Sequence, residues 1–72
     1  MTAATYHKGK WKAKVDVEEL ASGKFQGIVL LFHEDSPAYE QQIMHRAIAV
    51  SDTVDGALAE AKGLAHHLLG NL

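Results

Sequence analysis

The chain has 72 residues, a formal net charge of −2 and no cysteine. The absence of cysteine excludes disulfides, thiolate zinc sites and cysteine nucleophiles. A chain this short forms one domain, here residues 1–72, and buries only about 60% of the surface that its unfolded form exposes. Because so small a core contributes little stability, we expect oligomerisation to supplement it.

The basic residues are concentrated near the N-terminus. Residues 1–14 contain four lysines and no acidic residue, whereas residues 15–72 contain three basic and nine acidic residues. Such asymmetry is typical of an anionic partner, or of an edge strand that lysines protect from aggregation. The N-terminus is polar and the longest apolar run, residues 28–32, is too short to span a bilayer. We therefore expect a cytoplasmic protein without membrane association.

The first half of the chain predicts two strands. Residues 1–8 show no periodicity and are expected to form a loose N-terminal arm. Residues 10–17 alternate strictly between apolar and polar side chains, which predicts a strand with one solvated face. The pair Ser22-Gly23 indicates a turn, and residues 25–33 form a second, strongly apolar strand.

The second half predicts one more strand and a helix. A polar loop over residues 34–40 contains Pro37, which ends the second strand. Residues 41–50 are weakly patterned and are expected to form a third strand. Residues 54–69 form an amphipathic helix with Thr53 or Ser51 as N-cap and Gly70 just past its C-terminus. The apolar arc of this helix comprises Val54, Ala57, Leu58, Ala61, Leu64, Ala65, Leu68, Leu69 and Leu72.

This order of elements predicts an α+β fold. Three successive strands with short connections favour a three-stranded antiparallel meander, and the C-terminal helix packs on one face of it (βββα).

The second strand is apolar on both faces, although one helix can cover only one of them. The uncovered face would leave large side chains in water, each worth about 1.5–3 kcal/mol on burial, and this favours association with a second copy or with one protein partner. Alternatively, the N-terminal arm with Tyr6, or the stems of lysine side chains, cover that face. The candidate interface residues are Phe25, Ile28, Val29, Leu30, Leu31, Phe32 and Met44.

The lysine row suggests a different function, nucleic-acid binding. Lys10, Lys12 and Lys14 project from one face of the first strand at intervals of about 7 Å, which approximates phosphate spacing. Lys8 and Arg46 complete the candidate set. Trp11 falls on the opposite face and is expected in the core rather than against a base. The alternative is that these lysines protect an edge strand.

No residue pattern predicts catalysis or a cofactor. The three serines lie at predicted turns or caps, and no glycine-rich phosphate loop is present. There are five histidines, but His66 and His67 diverge by about 100° on a helix. A cluster of His33, Glu34 and Asp35 is more typical of a solvated loop. We therefore predict a non-enzymatic chain without metal or cofactor.

Two families share the predicted order of elements. Residues 53–59 (TVDGALA) resemble the helix entry of the HicB-like antitoxin N-terminal domain, which has three strands followed by a helix. Residues 9–15 (GKWKAKV) resemble a strand of the AP2-type DNA-binding domain. The second resemblance implies DNA binding by the sheet through arginines, of which this chain has one, Arg46.

Overall fold

Residues 4–34 and 43–71 are described by the computed structural model, and they form four strands and one helix. These elements are β1 (Ala4–Lys8), β2 (Trp11–Glu19), β3 (Phe25–His33), β4 (Ile43–Ser51) and α1 (Val54–Gly70). The predicted α+β class is confirmed, but the predicted number of strands is wrong because the sheet has four. Residues 35–42, which include the predicted loop with Pro37 and the start of the predicted third strand, lie outside the described residues.

The additional strand lies in the segment that was expected to be a loose arm. β1 pairs antiparallel with β2, from Ala4 opposite Val15 to Lys8 opposite Trp11. Gly9, in the two-residue turn between them, has a φ of 59°, and tight hairpin turns require such positive values. Ala4–Lys8 therefore widens the sheet and does not fold across its face.

The four strands form one antiparallel sheet in the order β1-β2-β3-β4. The turn predicted at Ser22-Gly23 is confirmed: the Gly23 backbone N–H donates to the Leu20 carbonyl at 2.9 Å. The edge strands are β1 and β4, so β2 is an interior strand. The prediction that the lysines of this strand protect an edge is therefore wrong.

The helix begins where the sequence predicts. The Thr53 hydroxyl accepts a hydrogen bond from the Gly56 backbone N–H at 3.0 Å, which makes Thr53 the N-cap. Gly70 is the last residue of the helix and does not lie past its C-terminus as predicted, because the C-cap is Asn71, whose backbone N–H donates to the Leu68 carbonyl at 3.3 Å and whose side-chain amide donates to the His67 carbonyl at 2.9 Å. Within the described residues, no helix is long and apolar enough to cross a membrane.

The core lies between α1 and one face of the sheet and is built from small side chains. The helix contributes a row at four-residue spacing, in agreement with the predicted arc, although Val54 of that arc is 48% exposed and Leu72 lies outside the described residues. The largest fully buried side chains are only valines, Val15 and Val29. The buried apolar residues are Ala13, Val15, Val29, Leu31, Ala47, Ala57, Ala61, Ala65 and Leu69.

These small residues allow the helix to lie unusually close to the sheet. The closest approach is at Gly27 on β3: a β-carbon there would lie 2.5 Å from the Ala57 carbonyl oxygen and 2.7 Å from the Ala61 β-carbon. Both distances are too short for non-bonded atoms. The position therefore requires glycine because of space, since the φ of Gly27 is not positive.

The edge strand β4 is irregular opposite this glycine. Gln26 pairs with Val50 and Ile28 with Arg46, so three residues of β4 face the single Gly27. The irregularity is a β-bulge, which bends a strand and interrupts its pairing. The Gln26 side-chain amide donates to the Ala47 carbonyl at 2.8 Å, and this bond satisfies a backbone acceptor in the bulge.

The close approach at Gly27 can be tested with a matched pair of glycine variants. We expect Gly27→Ala to lower the free energy of unfolding by about 1–3 kcal/mol, because the added methyl group overpacks the contact between helix and sheet. Gly63→Ala on α1 is the control. A β-carbon there meets nothing within 4 Å, so this variant should gain roughly 0.5–1 kcal/mol from helix propensity. Urea denaturation measures both, and equal effects would contradict the assignment.

An exposed ion pair joins the β2–β3 turn to the corner between β4 and α1. The Lys24 ammonium donates a hydrogen bond to the Asp52 carboxylate. This hydrogen bond, together with the charge of Lys24, lowers the pKa of Asp52 below its ordinary value of 3.8. Because the pKa is lowered on folding, the pair stabilises the fold above pH 3.8, and this contribution is lost as the pH falls through the lower folded-state pKa.

We expect Lys24→Met to raise the pKa of Asp52 toward 3.8, as measured by carboxyl-carbon NMR titration. Lys62→Met removes an exposed lysine of α1 and serves as the control. An Asp52 pKa that is the same in both variants would contradict the assignment.

Candidate binding surface

The face of the sheet opposite α1 is covered by no other element of residues 4–34 and 43–71. Because successive side chains alternate between faces, the residues that alternate with the buried core positions lie there. We call this surface the open face. It comprises Thr5, His7, Lys12, Lys14, Asp16, Glu18, Gln26, Ile28, Leu30, Phe32, Met44, Arg46 and Val50.

An apolar stripe runs along the middle of the open face. Ile28, Leu30 and Phe32 follow each other on β3, and Met44 of β4 lies directly beside Leu30. The three β3 residues are half-buried by their neighbours within the sheet, whereas Met44 is 50% exposed. The sequence predicts that this strand is apolar on both faces. In the structure, one of these faces lies under α1 and the other is uncovered.

Lysine stems shield part of this stripe, as one sequence-based alternative proposed. The Lys14 ammonium lies 5.2 Å from the centre of the Phe32 ring, within the range of a cation–π contact. The described part of the N-terminal arm, Ala4–Lys8, does not cover this stripe, because it pairs with β2 and its Tyr6 lies on the α1 side, where the ring contacts that of His66 at 4.6 Å. Shielding within the described residues is thus limited to side chains of the sheet itself.

The charges of the open face are ordered along β2. Lys12 and Lys14 occupy the half of the strand near the β1–β2 turn, and Asp16 and Glu18 occupy the other half. Each of the four has an uncharged partner on β3, in the order Phe32, Leu30, Ile28 and Gln26. β2 therefore contributes a basic half and an acidic half to the face, on either side of Val15, while Arg46 of β4 lies at the level of Asp16.

Several of these charges already have partners within the chain. The Lys12 ammonium and the His7 ring each lie 3.9 Å from the same oxygen of Glu34. The Arg46 guanidinium donates to Glu18 at 3.4 Å, across β3. All are solvent-exposed pairs, which contribute little to stability, but they reduce the net positive potential of the face.

The predicted interface residues divide between the two faces. Ile28, Leu30, Phe32 and Met44 lie on the open face. The remaining three, Phe25, Val29 and Leu31, are on the α1 side, where Val29 and Leu31 are 0% and 5% exposed. These two belong to the core and cannot contribute to a binding surface.

The predicted cations are also divided. Lys12, Lys14 and Arg46 lie on the open face, but Lys10 is in the β1–β2 turn rather than on a strand. Lys8 is opposite Trp11 and therefore lies on the α1 side. The continuous lysine row expected from the sequence is thus reduced to a pair.

The histidines lie in different parts of the fold and do not form one shared site among the described residues. No group of three or more potential metal ligands occurs among the described residues. The His33 ring packs edge-on against Trp11 at 5.0 Å, and Asp35 lies outside the described residues. His45 is opposite Val29, not opposite His33, and its Nε2 is buried without a hydrogen-bond partner.

A second apolar surface surrounds the bulge of β4. Ile48 is fully exposed, and Ile43, another β4 residue, is 49% exposed. Beside the bulge, an open groove of about 490 Å³ separates β4 from α1. Its lining residues are Arg46, Ala47, Ile48, Ala49, Ala59, Glu60, Gly63, Leu64 and His67. Sequence reasoning missed this surface, because the bulge interrupts the alternation that would have marked it.

Comparison of the chain with family models, curated proteins and solved structures finds no match. The resemblances to the HicB-like and AP2-type domains therefore stay predictions.

Proposed function

We propose that this chain is a non-catalytic self-association module, and that the open face is the surface through which two copies bind. The observation that supports this proposal is the apolar stripe of Ile28, Leu30, Phe32 and Met44 on a face that no described element covers. Exposed apolar patches on small domains are typical of interaction surfaces. A domain whose largest fully buried side chains are valines also gains most from such burial.

The dimensions of the open face are sufficient for a dimer. Four strands with a maximum length of nine residues present roughly 500 Å², at about 4.8 Å between strands and 3.3 Å per residue. Two such faces would remove roughly 1,000 Å² of surface, which is near the lower limit for specific association. The proposed dimer is therefore a reversible one.

The charges of the open face favour a second copy over a nucleic acid. Nucleic-acid affinity comes mainly from uncompensated cations that contact phosphates. Here the two lysines share the face with Asp16 and Glu18, and Glu18 binds the one arginine. A surface with both signs of charge repels a polyanion at its acidic half, whereas a second copy offers complementary charges.

The proposal can be tested by sedimentation equilibrium from micromolar to millimolar concentration. We expect a monomer–dimer equilibrium for the unmodified chain and at least about tenfold weaker association for Leu30→Glu, because burial of a side chain of that size is worth about 1.5–3 kcal/mol. Ile48→Glu is the matched control. It places the same charge on the fully exposed residue of β4 and should leave the association constant unchanged.

Circular dichroism verifies that both variants keep the fold. An unmodified chain that remains monomeric at millimolar concentration would contradict the proposal. So would association that Ile48→Glu abolishes and Leu30→Glu does not, because the interface would then lie at the β4 edge. Low-salt binding of duplex DNA that Leu30→Glu leaves intact, by a chain that does not self-associate, would favour the nucleic-acid alternative.

A further inference from the structure

We infer that the two copies pack face to face with their strands antiparallel, about a two-fold axis that crosses the strands at the level of Val15 and Val29. This inference rests on the proposed function and adds a specific geometry to it. In this arrangement, Lys14 of one copy lies opposite Asp16 of the other, and the symmetry produces this contact twice. The order of charges along β2 and the register of β2 with β3 favour this arrangement.

The open face has a natural centre. Val15 is the middle residue of the nine-residue β2, Val29 is the middle residue of the nine-residue β3, and the two are Cα partners. On β2, the side chains on either side of this level are Lys14 and Asp16, and the next pair outward is Lys12 and Glu18. The row of charges on β2 is therefore antisymmetric about its own centre.

A two-fold axis that lies between the two sheets, perpendicular to the strands, matches this order of charges. Such an axis reverses strand direction and superimposes each strand on its own copy, so the basic half of one face meets the acidic half of the other. On β3 it places Leu30 opposite Ile28 of the second copy, which stacks the centres of the apolar stripes. Lysine is long enough to reach a carboxylate across sheets about 10 Å apart.

An axis parallel to the strands gives a much poorer match. It preserves the level of each residue along the strand, so Lys12 and Lys14 face the basic half of the second copy. Like charges that face each other in an interface oppose association. Since isologous dimers must use the same patch on both copies, the charge order selects the crossing axis over the parallel one.

The position of Lys14 suits this geometry. Its ammonium lies over the Phe32 ring of the interior strand β3, at the basic end of the open face, and in this arrangement that end lies over the half of the second copy that carries Asp16 and Glu18. In the outer pair, Lys12 lies near Glu34 and Glu18 receives a hydrogen bond from Arg46. Lys14 and Asp16 flank the centre of the open face, so the orientation is tested most directly at these two residues.

The experiment uses two full-length charge-reversal variants, Lys14→Glu and Asp16→Lys, alone and mixed. Each variant alone places like charges opposite each other at both contacts, and we expect association at least about tenfold weaker than that of the unmodified chain. An equimolar mixture restores opposite charges at both contacts, so the mixed dimer should associate within a few-fold of the unmodified chain. Sedimentation velocity with one variant fluorescently labelled measures the mixed species directly.

The mixture separates contacts between copies from effects within one copy. Lys14→Glu removes the contact with Phe32, and Asp16→Lys removes the hydrogen bond that Asp16 accepts from the Val17 backbone N–H. Both losses persist in the mixture, so recovery there supports pairing between copies. The double variant Lys14→Glu/Asp16→Lys should also self-associate like the unmodified chain, which confirms that it remains folded.

The experiments distinguish a wrong orientation of the two copies from a wrong proposed function. If Leu30→Glu disrupts association but the mixture associates no better than either variant alone, the inferred axis is overturned and the open-face dimer stands. The inferred axis is likewise overturned if either single reversal associates as well as the unmodified chain. If the unmodified chain is monomeric, both proposals are overturned.

Discussion

The close contact between α1 and the sheet at Gly27 is the constraint on which the rest of the structure depends. The absence of a β-carbon there lets the backbone of the helix approach β3 at Ala57 and Ala61. The same contact favours alanine along the buried row of the helix and a bulge in the facing part of β4. Close packing of small side chains gives a dense core, but a core of this kind buries little apolar area per residue.

The sheet is covered on one side only, by α1, and this explains why apolar side chains remain on its other side. β3 is central, and its large side chains alternate between a face under the helix and a face without one. Alternate positions of β3 therefore have different surroundings: the odd positions face α1, and the even positions lie on the open face. On β2 the same alternation places charges beside the stripe, where they can restrict which orientations of a partner are favourable.

The sequence predicted the features that periodicity records directly. The bounds of β3, the N-cap Thr53 and the buried row of α1 all follow from local patterns of about nine residues or more. β1 was missed because Ala4 to Lys8 offers only two apolar positions, Ala4 and Tyr6. Within the candidate site, Val29 and Leu31 could not be assigned to a face from sequence, because both faces of β3 are equally apolar. The pairing of Glu18 with Arg46 joins residues 28 positions apart, and such contacts depend on register, which local patterns do not record.

The order of the strands has a kinetic consequence. Every strand pairs with the strand next to it in the chain, and the helix follows the last of them. No strand has to wait for a distant segment, so the entropy of closing long loops enters only weakly. Chains with such local connectivity fold rapidly for their size. Because the open face lies on the same sheet, it forms as soon as β2, β3 and β4 have paired. In the proposed dimer, the order of charges on this face would favour pairing with another folded copy over indiscriminate association through apolar strands.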